Sequence, residues 1–264
     1  MCSPCHKKII TLQKKGVAKT RIIINPAYKT LEKFVYDLPQ KFDDEGELIY
    51  NSRNQVRVFA IDGQKIVVKR FKKPMLHQRI DYTFFRPSKA KRAYTFGLRL
   101  QQLGISTPTP IACVEEYSGG LFDCGFFVSA FCGDPDTRII REEPQQHDDL
   151  INALAHFLVF IHEKGFLHGD TNLSNFLYRK DNSPLGYHIT TIDINRSHFK
   201  DNLSQGECLA NLMRMTHVRE ALQKIVTRYA EIRGWDANKS VAIVMNKLNG
   251  FERRKAWKHK IISH

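Results

Sequence analysis

His168-Gly169-Asp170-Thr171-Asn172-Leu173-Ser174-Asn175 sets six polar side chains between two apolar flanks, Phe166-Leu167 before it and Phe176-Leu177-Tyr178 after it. Such flanks suit a loop pinned between buried elements, with its polar groups aimed into a cleft. Asp170 and Asn175 stand five positions apart. A carboxylate in this setting can accept the proton of an attacking hydroxyl, and an amide oxygen can hold Mg²⁺ against nucleotide phosphates. Within Thr191-Ile192-Asp193-Ile194-Asn195, an apolar run delivers a second carboxylate, Asp193, eighteen residues after Asn175.

A lone His-Gly-Asp is a weak signal and most often a surface turn. Asp-x4-Asn, followed at short range by a β-like run ending in Asp, is far more specific. It is the order of base and two metal ligands in a kinase catalytic loop.

Working outward, the upstream chain alternates in the manner of strands at 21–25, 48–50, 56–59 and 66–71, with a turn at Asp62-Gly63 and a short helix over about 29–37. Within Ile66-Val67-Val68-Lys69-Arg70-Phe71 the lysine is costly unless it meets an anion or snorkels to water. In kinases a lysine at this place grips nucleotide phosphates. The turn Asn51-Ser52-Arg53-Asn54-Gln55 has no glycine, yet its amides and Arg53 could meet phosphate. Ser88 predicts the N-cap of a helix running to Leu103 and stopping at Gly104. Strands follow at 111–116 and 126–131, and Gly133-Asp134-Pro135 reads as a hinge between two lobes. A helix over 148–164 carries a core stripe of Leu150, Ile151, Leu154, Leu158 and Ile161. Its His156 and His162 read as surface groups or satisfied partners in preference to ligands. The strand 188–192 leads into Asp193, and helices are predicted over about 205–216, 218–233 and 237–249.

The 264 residues suffice for one two-lobed body with a sizeable core. Hydrophobic content of 42% and charged content of 26% are those of a globular chain, against a disordered or fibrous one. Lys and Arg number 41 against 27 Asp and Glu, a net +14, which points to anionic partners. Residues 1–20 hold five lysines and no acid and read as a mobile basic extension. Cys2-Ser-Pro-Cys5-His6 matches a haem-attachment spacing that would require export, and is read as incidental. Six irregularly spaced cysteines read as reduced thiols, and no apolar run approaches the ~18 residues of a membrane span. A cytoplasmic protein is expected.

On Val68-Lys69-Arg70-Phe71, Leu103-Gly-Ile-Ser-Thr-Pro-Thr-Pro110, His168-Gly-Asp170 with Asn175, and Ile192-Asp193-Ile-Asn195-Arg196, the sequence resembles the lipopolysaccharide kinase (Kdo/WaaP) family from about residue 21 to the end. The resemblance implies an α+β, two-lobed protein-kinase-like fold. An N-terminal antiparallel sheet lobe would span 21–133 and a mainly helical C-terminal lobe 134–264. It implies ATP- and Mg²⁺-dependent phosphorylation of a hydroxyl on an inner-core sugar, Kdo or heptose, of an anionic glycolipid, with peripheral contact to the inner-membrane face where such an acceptor would lie. Lys69 would grip phosphate, Asp170 act as base, and Asn175 and Asp193 hold the metal. Arg53, Ala130 and Cys132 would line the nucleotide.

Two departures stand beside the match: no glycine-rich turn, and no glutamate anywhere from 75 to 100, where a partner for Lys69 would fall near Thr95. Asp193 or the nucleotide itself would then hold the lysine. The rival readings are a pseudokinase that binds nucleotide without transfer, another kinase of this fold, and a basic nucleic-acid module. The last lacks any recognisable nucleic-acid motif. No Ala-Pro-Glu element follows Asp193, so a peptide-docking activation segment is not expected.

Overall fold

The computed structural model describes residues 8–13 and 18–262, with side chains over 19–257. The chain divides into two compact units, Met1–Gly133 and Asp134–His264.

The first unit is a seven-stranded antiparallel sheet built from β1 (Lys8–Gln13), β2 (Ala18–Ile24), β3 (Glu47–Asn51), β4 (Asn54–Ile61), β5 (Gln64–Phe71), β6 (Pro110–Ser118) and β7 (Leu121–Ala130), in the order β1-β2-β6-β7-β5-β4-β3. Residues 8–13 therefore do not belong to an extension. They pair with β2 from Lys8 opposite Ile24 to Gln13 opposite Lys19. Cys2, Cys5 and His6 lie outside the described residues.

One sheet face carries Ile22, Phe59, Ile66, Val68, Val114 and Phe126, packed under α1 (Glu32–Lys41) through Val35, Leu38 and Phe42. Asn25 starts this layer: its Oδ1 accepts from Ala27 N at 3.1 Å and its Nδ2 donates to Pro110 O at 2.9 Å. The other face holds Ile23, Phe71 and Cys113 against Ala90, Ala93 and Tyr94 of α3 (Lys89–Gln102). Ser88 caps α3, accepting from Lys91 N at 3.1 Å. Because strand side chains alternate, Ile66 and Val68 fall on the α1 side. Lys69 falls with Phe71 on the α3 side, its Nζ 5.4 Å from the Phe71 ring. An additional helix, α2 (Leu76–Phe84), sits on β7: the Tyr82 and Phe122 rings meet edge-on at 5.4 Å, and Arg79 Nε donates to Phe122 O at 2.7 Å.

The second unit is mainly helical: α4 (Ile139–Glu142), α5 (Asp148–Glu163), α6 (Gln205–Leu212), α7 (Arg219–Ile232) and α8 (Ala237–Ile262). The predicted stripe of α5 is fully buried, and α5 packs on α7, α7 on α8 and α6 on α8. Two small antiparallel pairs complete the unit. One joins β9 (Phe176–Lys180) to β10 (Tyr187–Thr191), and the other joins β8 (Phe166–Leu167) to β11 (His198–Phe199). No described helix is long and apolar enough to cross a membrane.

Candidate active site

The predicted loop begins where Gly165 closes α5. Gly165 has φ +71°, and a Cβ there would stand 1.8 Å from Lys200 O, so glycine is obligatory on both counts. His168 follows, fully buried. Its Nδ1 accepts from Asp170 N at 3.0 Å, so its Nε2 carries the proton and donates to Ile192 O at 2.8 Å. Burial pushes the His168 imidazole below the ordinary histidine range, which keeps this neutral tautomer in place. Gly169 explains its own identity: a Cβ at this position would meet Arg196 O at 2.1 Å. The backbone of the segment after Asp193 thus lies against the loop, and Gly169 N donates to Ser197 Oγ at 3.3 Å.

Asn172 Oδ1 accepts from Ser174 N at 3.1 Å and from Arg141 Nη2 at 2.6 Å, starting a 3-10 turn over Leu173–Asn175. The turn presents Asn175, whose Nδ2 donates to Asp170 O at 2.8 Å. That bond orients the amide and turns its Oδ1 away from the loop backbone. Asn175 O accepts from Ile192 N at 2.9 Å. Residue 192 is thereby held at its carbonyl by His168 and at its amide by Asn175. The next residue, Asp193, is exposed and adopts the left-handed conformation, φ 58° and ψ 41°, which aspartate tolerates better than most residues. Its Oδ1 accepts from Nδ2 of the buried Asn195 at 2.7 Å, so Asn195 orients the carboxylate.

The structure brings Asp170, Asn175 and Asp193 into one bonded assembly within the second unit. Lys69, Arg53, Ala130 and Cys132 belong to the first unit. Lys69 is half-buried on the α3 side of the sheet, and Arg53 is exposed in the β3–β4 turn. Ala130 N donates to Thr109 O at 2.9 Å, and Cys132 is half-buried and forms no disulfide. Helix α3 carries no acid, and Thr95 Oγ1 bonds back to Lys91 O at 2.9 Å.

Reading by spacing does not find the groups that support the loop from distant helices. Tyr229 donates to His162 Nδ1 at 2.8 Å, and His162 Nε2 donates to Asn211 Oδ1 at 3.1 Å. Asn211 Nδ2 donates to His168 O at 2.8 Å, and Thr171 Oγ1 donates to Asn211 O. Burial drives the His162 pKa down to about 4, so the ring is neutral and the donor direction along the chain is fixed. No local pattern links residues this far apart. The buried polar character of His162 on an otherwise apolar helix face is the only trace of the network in the sequence.

The donor set fits Mg²⁺. One carboxylate and one amide oxygen suit an ion that completes its octahedron with phosphate and water oxygens. Among the described residues no cluster of three or more His, Cys, Asp or Glu side chains forms an all-protein metal cage.

The family profile of the lipopolysaccharide kinase (Kdo/WaaP) family matches residues 39–230. Among solved structures, WaaP in complex with acyl carrier protein aligns with TM-score 0.58 at 17% identity, covering 89% of this chain and 97% of that one, a likeness of fold. The Rio2 kinase–ADP/Mg²⁺–phosphoaspartate complex from Chaetomium thermophilum aligns at TM-score 0.45 and 14% identity, over 92% of this chain and 82% of that one. A search of curated proteins finds no significant match. The fold is protein-kinase-like, and with the profile spanning well over half of its residues the chain belongs to the lipopolysaccharide kinase (Kdo/WaaP) family, a kinase using ATP.

Proposed function

We propose that this kinase phosphorylates a hydroxyl of an inner-core sugar, Kdo or heptose, on a lipid-linked acceptor at the cytoplasmic face of the inner membrane. The observation that carries the catalytic part is the double tie of Ile192: His168 holds its carbonyl and Asn175 its amide. Those two bonds set Asp193 and Asp170 in one frame without a phosphorylated loop.

In this reading Asp170 removes the proton of the acceptor hydroxyl as the oxygen attacks the γ-phosphorus of ATP. The bond to the β,γ-bridging oxygen breaks, and ADP leaves. Asn175 and Asp193 would hold Mg²⁺, which would offset the negative charge of the phosphates. Asn195 holds the Asp193 carboxylate in its orientation. Lys69, on the first unit, would hold the phosphates of ATP, with Arg53, Ala130 and Cys132 lining the nucleotide. The net charge of +14 would draw in an acceptor rich in phosphate and carboxylate.

The test is transfer to isolated lipopolysaccharide followed by mass spectrometry. Asp170→Ala and Asp193→Ala should each remove transfer, by at least the ~100- to 10,000-fold that general base catalysis contributes. Asp193→Ala should also weaken Mg-nucleotide binding, whereas Asp170→Ala should largely spare it. Full activity of either purified variant overturns these roles. Efficient transfer to a peptide or a free sugar in preference to lipopolysaccharide overturns the acceptor.

A further inference from the structure

Met75, Leu76, Ile80, Phe84 and Phe85, all large and apolar, face solvent within eleven consecutive residues. Leu76, Ile80 and Phe84 recur at every fourth position of α2 and so form one stripe along it. The remaining side of the helix holds it to the sheet. Tyr82 is buried against Phe122 and Tyr117. Arg79 reaches Phe122 O and, at 3.2 Å, Ser118 O, and Thr83 Oγ1 accepts from Phe122 N at 2.8 Å. A surface helix ordinarily buries its apolar stripe and wets its polar one; α2 does the reverse. Its ends protrude: Met75 exposes 72% of its surface, Phe84 68% and Phe85 81%.

The surroundings are basic. Segment 72–92 holds seven lysines and arginines against the single acid Asp81. Lys72, Lys73 and Arg86 are exposed beside the stripe. Lys73 bridges to Asp123 at 2.6 Å and Arg86 to Asp81, which reduces the rim's charge without reversing it.

We propose that α2 is a membrane-surface anchor. Met75, Leu76, Ile80, Phe84 and Phe85 enter the boundary between headgroups and acyl chains of an anionic bilayer, and Lys72, Lys73 and Arg86 meet the phosphate layer. The inference rests on the lipid-linked acceptor proposed above, and it names the element that brings the protein to the surface holding that acceptor. An apolar stripe rimmed by lysine and arginine is the pattern of helices that lie in the interface plane. The protruding phenylalanines favour a deformable bilayer over a shaped protein partner, which would have to supply a pocket for each. A single nine-residue helix gives reversible attachment, as an enzyme that must move between acceptors requires.

The full chain should co-sediment with vesicles of phosphatidylethanolamine and phosphatidylglycerol, and much less with phosphatidylcholine. Leu76→Ser/Phe84→Ser/Phe85→Ser, with thermal unfolding unchanged, should lower that partition at least about tenfold, since each lost side chain removes a substantial transfer term. Its phosphorylation of a deacylated, water-soluble core acceptor should stay at the wild-type rate. Phe85→Trp, placed in a Trp235→Phe/Trp257→Phe background, should shift its emission to the blue on vesicles and be quenched by brominated acyl chains. Wild-type partition of the triple variant, or a Trp at position 85 that brominated lipid does not quench, overturns the proposal. So does a wild-type dimer that the triple variant dissolves, or tight α2-dependent binding of purified acyl carrier protein with no vesicle binding. If α2-dependent vesicle binding holds while no lipopolysaccharide is phosphorylated, the acceptor reading fails and the anchor stands.

Discussion

Asn211 shows how one half-buried amide can hold the loop from His168 to Asn175. Its Nδ2 donates to His168 O, its Oδ1 accepts from His162, and its own carbonyl accepts from Thr171 Oγ1. Burial disfavours the second, charge-bearing proton on the His162 ring, and burial also keeps its partner Tyr229 protonated. The histidine pKa is therefore about 4 in the folded chain against the ordinary 6.5. Between these values the unfolded chain binds a proton that the folded chain refuses. Stability from this group is thus complete above about pH 6.5 and is lost as pH falls toward 4. The loss amounts to about 3 kcal/mol. Buried His168, also shifted down by burial, adds in the same direction. Urea unfolding at pH 7 and pH 4.5 should show this fall, and His162→Gln should flatten it while costing stability at pH 7. An unchanged slope in the variant would remove His162 from this account.

At the scale of elements, Ser88 is a clear case of sequence and structure agreeing for one physical reason. Its Oγ is buried and takes the otherwise orphaned Lys91 N–H. Ser88→Ala should cost about 1 kcal/mol in unfolding experiments and speed hydrogen exchange at the Lys91 amide. An unaltered exchange rate at Lys91 would show that the cap carries nothing. Helices α3 and α5 were legible because their apolar residues face inward at helical spacing and their ends carry Ser88, Gly104 and Gly165. The loop from His168 to Asn175 was legible because its chemistry lies within one stretch, with Asp193 soon after. Helix α2 was not legible because its apolar stripe faces solvent while Arg79 and Thr83 make the inward contacts, so the usual sign of a buried face is inverted. Strand β1 was not legible either, since its lysine-bearing, uncapped segment takes its identity from pairing with β2. The Asn211 network depends on helices brought together only by folding, as does the contact of Gly169 with Arg196 O.

For the molecule as a whole, the excess of 14 positive charges acts over distance, whereas the apolar stripe of α2 acts only on contact. The end of α8 adds to the first kind of attraction. Arg253, Arg254, Lys255 and Trp257 are exposed there, and the sequence continues with Lys258 and Lys260. Glu252, just before them, is tied to Arg219 at 2.5 Å, so removal of residues 253–264 leaves that anchor of α8 intact. Each basic residue near an anionic surface contributes up to about 1 kcal/mol, and that term fades within a Debye length. Deletion of 253–264 should therefore weaken binding to phosphatidylglycerol vesicles by roughly 100-fold or more at low salt. The difference should shrink toward nothing at about 0.5 M salt, where the Debye length is only a few ångström. The α2 serine variant should behave in the opposite way, losing about the same factor at low and high salt, because burial of apolar surface is not screened. Co-sedimentation of the three proteins across a salt series separates the two terms. A tail deletion whose effect is independent of salt would mean that these residues do not act on the surface as charges.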